Sequence, residues 1–268
     1  MPELPEVETV CRTLRPHLLG LRIDRVDVRE HRLRRPIEEN FARQLVGRTI
    51  ESVRRRAKYI VMDVGNGDSW VVHLGMSGQL CVGPPPQDAK HVHVLVALSS
   101  GKLVYYRDPR RFGLMMLASG EAELGELGVE PLGEDFSADL LWALRRRHRR
   151  LSVKSLLMDS RKVVGIGNIY ANEVLFESGI RPGRRYGRVT RREIERLVDR
   201  VPAILSRAIE SGGSSLLDYR DAEGRAGAFQ ESFWVYDRAG EPCRVCASPI
   251  RAKVQCGRSS FYCPQCQV

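Results

Sequence analysis

The chain has 268 residues, 43% of them hydrophobic, and a net charge of +10. That balance excludes wholesale disorder, gives room for two domains with their own cores, and points to a polyanionic partner, nucleic acid or an acidic membrane surface. No apolar run of about 18 residues is present to span a membrane, and no basic start followed by an apolar stretch marks a secretory signal.

The chain opens Met1-Pro2-Glu3-Leu4-Pro5-Glu6. A small second residue lets the initiator methionine be removed, leaving Pro2 as a terminal secondary amine. An α-amino group titrates near ~8, so part of it is a neutral nucleophile that can attack an electrophilic sugar carbon and become an iminium. Glu3 puts a proton donor one residue away. A purely structural reading is also open: Pro5 in a helix's first turn, with the acids at its positive end. Val7, Val10, Cys11, Leu14 and Leu18 predict a helix over residues 5–19, closed by Gly20.

From Ile23 to about Leu117 the pattern changes to strands, at Val26/Val28, Tyr59 to Val64, Trp70 to Leu74, Val92 to Leu98 and Leu103 to Tyr106. Turn signals at 65–67 and 99–101 punctuate a β-sandwich capped by the first helix. Residues 119–136 read as a linker. Helices are expected at 137–147, at 152–159 and from Asn168 to Gly179. Thr190-x-x-Glu193 is a capping box opening a longer helix, with Ile194, Leu197, Val201, Leu205 and Ile209 on one face and Pro202 expected to kink it. Residues 211–230 carry four glycines and few large apolar groups, and read as a mobile loop.

Four motifs carry chemistry. Cys243-x-x-Cys246 and Cys263-x-x-Cys266, sixteen residues apart, have the spacing of a tetrahedral thiolate zinc site; a redox pair or rubredoxin-type iron is the other reading. Arg251 to Ser260 between them is a basic hairpin suited to phosphates. Asp108-Pro-Arg110-Arg-Phe112-Gly113 follows a strand: its ring and guanidinium either enter a DNA stack, or Phe112 packs inward. Met76, flanked by Gly75 and Gly78, either plugs a gap or is buried. Gly165-Ile-Gly167-Asn168 opens a helix whose free N–H groups can take phosphate, and Arg145 to Arg150 is either a solvated face or a backbone contact. Only six lysines stand against 37 arginines, so Lys58 and Lys154 invite inspection, since arginine cannot shed its proton. Cys11, Cys81 and Cys256 fall outside the pairs, an odd remainder that suits a reducing cytosol.

With PELPEVET at 2–9, RRAKY at 55–59, HLGMSG at 73–78, DPRRFG at 108–113, GIGNIYANE at 165–173 and GGSSLLDY at 212–219, the sequence resembles the formamidopyrimidine-DNA glycosylases, full length. The resemblance implies an α+β fold: an N-terminal antiparallel β-sandwich with flanking helices (1–120), a linker (121–136), a helix–two-turns–helix domain with a lesion-recognition loop (137–230) and a zinc finger (231–268). It implies Pro2 as the Schiff-base nucleophile, Glu3 as the acid that opens the sugar ring, Lys58 in proton transfer during β-elimination and Arg258 in δ-elimination. Met76, Arg110 and Phe112 would fill the void left by the everted base. Lys154 and Asn168 would hold flanking phosphates, and His91 and Arg149 would make further DNA contacts. One structural Zn2+ and no redox or catalytic cofactor are implied, with a monomer acting in the bacterial cytosol on duplex DNA that holds oxidised purines or abasic sites.

The chain departs from the family pattern at Ser160, Ser214-Ser215, Ala228, Asp237 and Ala247. None is a proposed catalytic group, but the loop changes leave the ranking of lesions open. The sister class that removes oxidised pyrimidines, the endonuclease VIII type, starts Pro-Glu-Gly-Pro-Glu and lacks the gap-filling set; Leu4 and residues 108–113 favour the purine class. A non-catalytic zinc-ribbon DNA binder would have no need of Pro2, Glu3 and Lys58.

Overall fold

The computed structural model describes residues 1–215 and 219–268. Leu216, Leu217 and Asp218, part of the expected lesion-recognition loop, lie outside the described residues. The chain divides into two compact units, residues 1–125 with 209–230, and residues 126–208 with 231–268.

In the first unit, helix α1 (Leu4–Leu18) starts at Glu3 with Pro5 in its first turn and buries Leu4, Val7, Val10, Cys11, Leu14 and Leu18. Strand β1 (Ile23–Val28) and the short helix α2 (Phe41–Leu45) follow. Strands β2 (Ser52–Arg56), β3 (Tyr59–Asp63), β4 (Ser69–His73), β5 (Gln79–Val82), β6 (Val92–Leu98), β7 (Leu103–Arg107) and β8 (Leu114–Ala118) complete the unit. They form two four-stranded antiparallel sheets, β1-β6-β7-β5 and β2-β3-β4-β8. One apolar core joins them, with Trp70 and Tyr106 among its largest side chains and α1 packed on it.

Residues 209–230 belong to this unit, which corrects the expectation that 137–230 forms one domain. The described part is anchored rather than free. Ala222 accepts from Val82 N–H at the edge of β5, Tyr219 Oη donates to the Glu6 carbonyl, and both side chains enter the sandwich core.

The second unit holds α3 (Ala138–Arg147), α4 (Val153–Leu157), α5 (Asn168–Glu177), most of α6 (Arg191–Glu210), and the hairpin β9 (Arg251–Gln255) and β10 (Arg258–Tyr262). α6 runs unbroken through Pro202, and its capping box forms as expected, with Glu193 accepting from Thr190 N–H at 2.7 Å. A second small core gathers Phe176, Val235, Ile250 and Phe261 around Cys243 and Cys263. Among the described residues no helix is long and apolar enough to cross a membrane.

Candidate active site and metal centre

Pro2 is buried where α1 begins, while Met1 is 48% exposed. Glu3 caps the helix, its carboxylate accepting from the Glu6 N–H, and Glu6 Oε2 accepts in return from Glu3 N–H at 2.8 Å. The other Glu6 oxygen accepts from Ser214 N–H at 2.7 Å, so one carboxylate ties the start of the chain to residues 209–230. Both acids are nearly inaccessible, Glu3 at 3% and Glu6 at 2% exposure. The acids that follow Pro2 in the chain are thus the ones that cap the helix, as the structural reading has it.

Lys58 stands half-buried in the two-residue β2–β3 turn, where Ala57 takes a positive φ. On the neighbouring strand β4, His73 accepts from Gly75 N–H at Nδ1. Burial, then the Lys58 and Arg34 charges, lower its pKa to about 4, so the ring is neutral at pH 7. Cys11 is held in the core and pushed up to about 12 by burial and then by Glu8, which removes it as a nucleophile.

The exposed alternative holds for both gap-filling candidates: Met76 is 43% and Phe112 51% accessible, and Arg110 is exposed beside Phe112. Beneath them Asp108 is fully buried. It accepts from Ser77 Oγ at 2.7 Å, from Gly113 N–H at 2.9 Å and from Tyr106 Oη at 3.1 Å. Burial, then Asp108, pushes the Tyr106 hydroxyl far above its ordinary range and keeps it a donor. His91 has φ +68°, and its carbonyl accepts from Asp108 N–H.

In the second unit, Arg149 and Arg258 are exposed, and the hairpin turn Cys256-Gly257 has two positive φ angles, as a type I′ turn requires. Lys154 is buried, donating to Ser259 O at 2.7 Å and Ser260 Oγ at 2.8 Å, so it fastens the strand that begins with Arg258. Asn168 is the first residue of α5, and its Oδ1 is buried without a hydrogen-bond partner among the described residues. Asn172 donates to the Asn168 carbonyl and accepts from Phe261 N–H, joining this helix start to β10. Arg145 is occupied internally, donating to the carbonyls of Val189 and Gly187. Sequence reading missed Glu6, Ser77 and Asp108; for Glu6 the signal was its position three residues after the cap.

The four cysteine sulfurs lie within 4.8 Å of one another, with Cys243–Cys266 at 3.9 Å and Cys246–Cys263 at 3.4 Å. A tetrahedral zinc with bonds of ~2.3 Å needs sulfurs about 3.8 Å apart, so these residues fit the ion. Four protein thiolates would fill its coordination, which suits a structural centre.

Three family models cover the chain: the formamidopyrimidine-DNA glycosylase N-terminal domain at residues 1–115, its H2TH domain at 127–219, and a zinc finger found in FPG and IleRS at 240–268. A formamidopyrimidine-DNA glycosylase of Thioalkalivibrio sulfidiphilus is 47% identical and one of Burkholderia thailandensis 48%, each over the whole of both chains. The crystal structure of the MutM (Fpg) protein of Thermus thermophilus is similar at a TM-score of 0.88 and 37% identity, covering 99% of this chain and 98% of that one. A Lactococcus lactis Fpg complexed with DNA containing an abasic site matches at 0.89 and 32%, covering 99% of each chain. The chain belongs to the formamidopyrimidine-DNA glycosylase family.

Proposed function

We propose that this chain excises oxidised purines, 8-oxoguanine and formamidopyrimidines, from duplex DNA and then cuts the strand at the abasic site by β,δ-elimination. It is a base-excision repair enzyme, both DNA glycosylase and lyase, and the cytosolic monomer is the form expected to act. The observation that carries the reading is Pro2 buried at the start of α1 with Glu3 and Glu6 around it.

With Met1 attached, the Pro2 nitrogen is an amide and has no nucleophilic lone pair. The small second residue, Pro2, lets Met1 be removed, which yields the secondary amine. The positive end of α1 favours the neutral form of that amine. The nitrogen attacks C1′ of an extruded nucleotide, the glycosidic bond breaks, and the base leaves. Glu3 gives a proton to the ring oxygen as the sugar opens, and the nitrogen becomes an iminium. The iminium acidifies the C2′ hydrogen; its departure expels the 3′ phosphate, and a second elimination expels the 5′ phosphate. Lys58 serves the proton transfers of the first elimination and Arg258 the second. Met76, Arg110 and Phe112 fill the gap in the stack, His91, Arg149 and Asn168 serve the DNA backbone, and Lys154, buried on Ser259 and Ser260, serves it through the hairpin strand that it holds. Cys243, Cys246, Cys263 and Cys266 would hold a zinc ion whose contribution would be structural, to the order of the Arg258 hairpin.

Borohydride trapping on duplex DNA with 8-oxoguanine opposite cytosine tests the assignment. The mature protein should cross-link, and a form with an uncleavable N-terminal tag should not. Full-rate nicking by the tagged form would refute Pro2, and preference for thymine glycol would place the chain in the pyrimidine class.

A further inference from the structure

Two loops cross between the sheets at the same end of the sandwich. Residues 74–78 lead from β4 to β5, and residues 108–113 return from β7 to β8. Their ends are clamped by ladder pairs: His73 opposes Leu114, and Gln79 opposes Arg107. Met76 projects from the first loop, Arg110 and Phe112 from the second, all exposed.

The middles of the loops are joined as well. Ser77, next to Met76 and 3% exposed, donates its hydroxyl to Asp108 Oδ1. The same oxygen of Ser77 accepts from Arg110 N–H at 3.3 Å. Asp108 Oδ2 takes Gly113 N–H and the Tyr106 hydroxyl, and the Asp108 carbonyl takes His93 Nε2–H at 2.7 Å. The backbones touch: a Cβ on Gly75, already at φ +63°, would lie 2.5 Å from the Phe112 carbonyl, and one on Gly113 would overlap the Tyr106 hydroxyl. A buried carboxylate that is fully used by neutral donors on two segments fixes them relative to each other, because losing either segment strands a desolvated charge.

We infer that Ser77 and Asp108 are positioning residues that make Met76, Arg110 and Phe112 a single rigid wedge, so that filling the gap and reading the estranged base happen as one event. This rests on the gap-filling reading of those three side chains. Independent loops would let Met76 enter the stack without bringing Arg110 to the opposite base. A joined wedge ties the two, and rejects a wrong opposite base before Pro2 is committed.

The test is a double-mutant cycle on single-turnover excision of 8-oxoguanine opposite cytosine, with Met76→Ala, Phe112→Ala and the pair, repeated on Ser77→Ala and on Asp108→Asn. In the wild-type background the pair should be milder than the product of the single effects by about fivefold or more. On either loosened background the product rule should hold within about twofold, and the preference for cytosine over adenine opposite the lesion should shrink by at least about fivefold. A product rule already obeyed in the wild type, or coupling and base preference untouched in both backgrounds, overturns the joined wedge. Single variants at Met76 and Phe112 that excise at the wild-type rate overturn the gap-filling reading instead. Trapping on a single-stranded abasic oligonucleotide, which has no stack to fill, separates wedge from fold: if both backgrounds lose it, Ser77 and Asp108 hold the fold in general and the inference fails.

Discussion

His73 lies half-buried between two cations, edge-on to Tyr59 with ring centroids 5.0 Å apart, and must stay neutral to accept the Gly75 N–H at Nδ1. The unfolded chain takes up this proton below the ordinary histidine value of 6.5, and the folded chain only near 4. Across that window the unfolded state binds more protons, so stability rises with pH and is lost on acidification, by on the order of 3 kcal/mol once pH 4 is reached. His73→Asn keeps an acceptor for Gly75 and removes the titration. Urea unfolding of both proteins from pH 7 to pH 4.5 should therefore show the wild type losing ground against the variant as the pH falls. A difference that stays constant over the range would show that His73 does not sense its surroundings in this way.

Helix α5 organises its neighbours through a buried acid. Glu173 on it is 1% exposed and accepts three successive backbone N–H groups, from Trp234, Val235 and Tyr236, at 2.8 to 3.0 Å. Phe176 one turn on stacks against Trp234 at 5.4 Å. Burial pushes the Glu173 carboxyl up while the three donors pull it down. Glu173→Gln sets an amide N–H against backbone N–H groups, leaves at least one donor unsatisfied, and should cost about 1–3 kcal/mol in thermal unfolding. It should also speed zinc loss to a chelator, since Val235 belongs to the cysteine core. Wild-type stability and metal retention in the variant would refute this linchpin role. Elements of this kind were legible where local pattern is decisive: α1 by its apolar spacing, α6 by its capping box, the zinc ribbon by its cysteines. β2 was not legible, because Ser-Val-Arg-Arg-Arg looks like a solvated run. The structure buries Arg55 against Glu8 of α1 at 3.3 Å, a partner 47 residues away. The place of residues 209–230 was equally hidden, since it rests on Glu6, Thr13 and the edge of β5, none of which the loop's own composition encodes. Nor could local sequence decide between buried and exposed for Met76 and Phe112; the wedge depends on two loops meeting across the sandwich.

On the scale of the whole chain, stability and charge are unequally shared. Residues 1–125 with 209–230 enclose a large apolar core, whereas the zinc finger contributes five residues to a small core shared with Phe176 of α5, and two of the five are cysteines of the metal site. So small a core cannot offset its chain entropy without the ion, and metal binding there is folding free energy. The finger also carries Arg251, Lys253 and Arg258 on exposed strand positions, and its Ser259 and Ser260 are what Lys154 grips. Cys263→Ser should therefore release zinc, open the 251–262 hairpin to protease, and leave the sandwich folded. Every phosphate that the protein ceases to neutralise makes the dependence of log affinity on log salt shallower by about 0.9, so removing these three cations from the DNA should reduce the slope by about 2 to 3 along with the affinity. Titrations of wild type and variant on abasic duplex DNA between 50 and 200 mM salt, on the order of the range where counterion release dominates, read both quantities. Lower affinity with an unchanged slope would mean that the hairpin orders its neighbours without touching phosphates. An unchanged affinity and slope in a protein shown to lack zinc would remove the finger from DNA binding altogether.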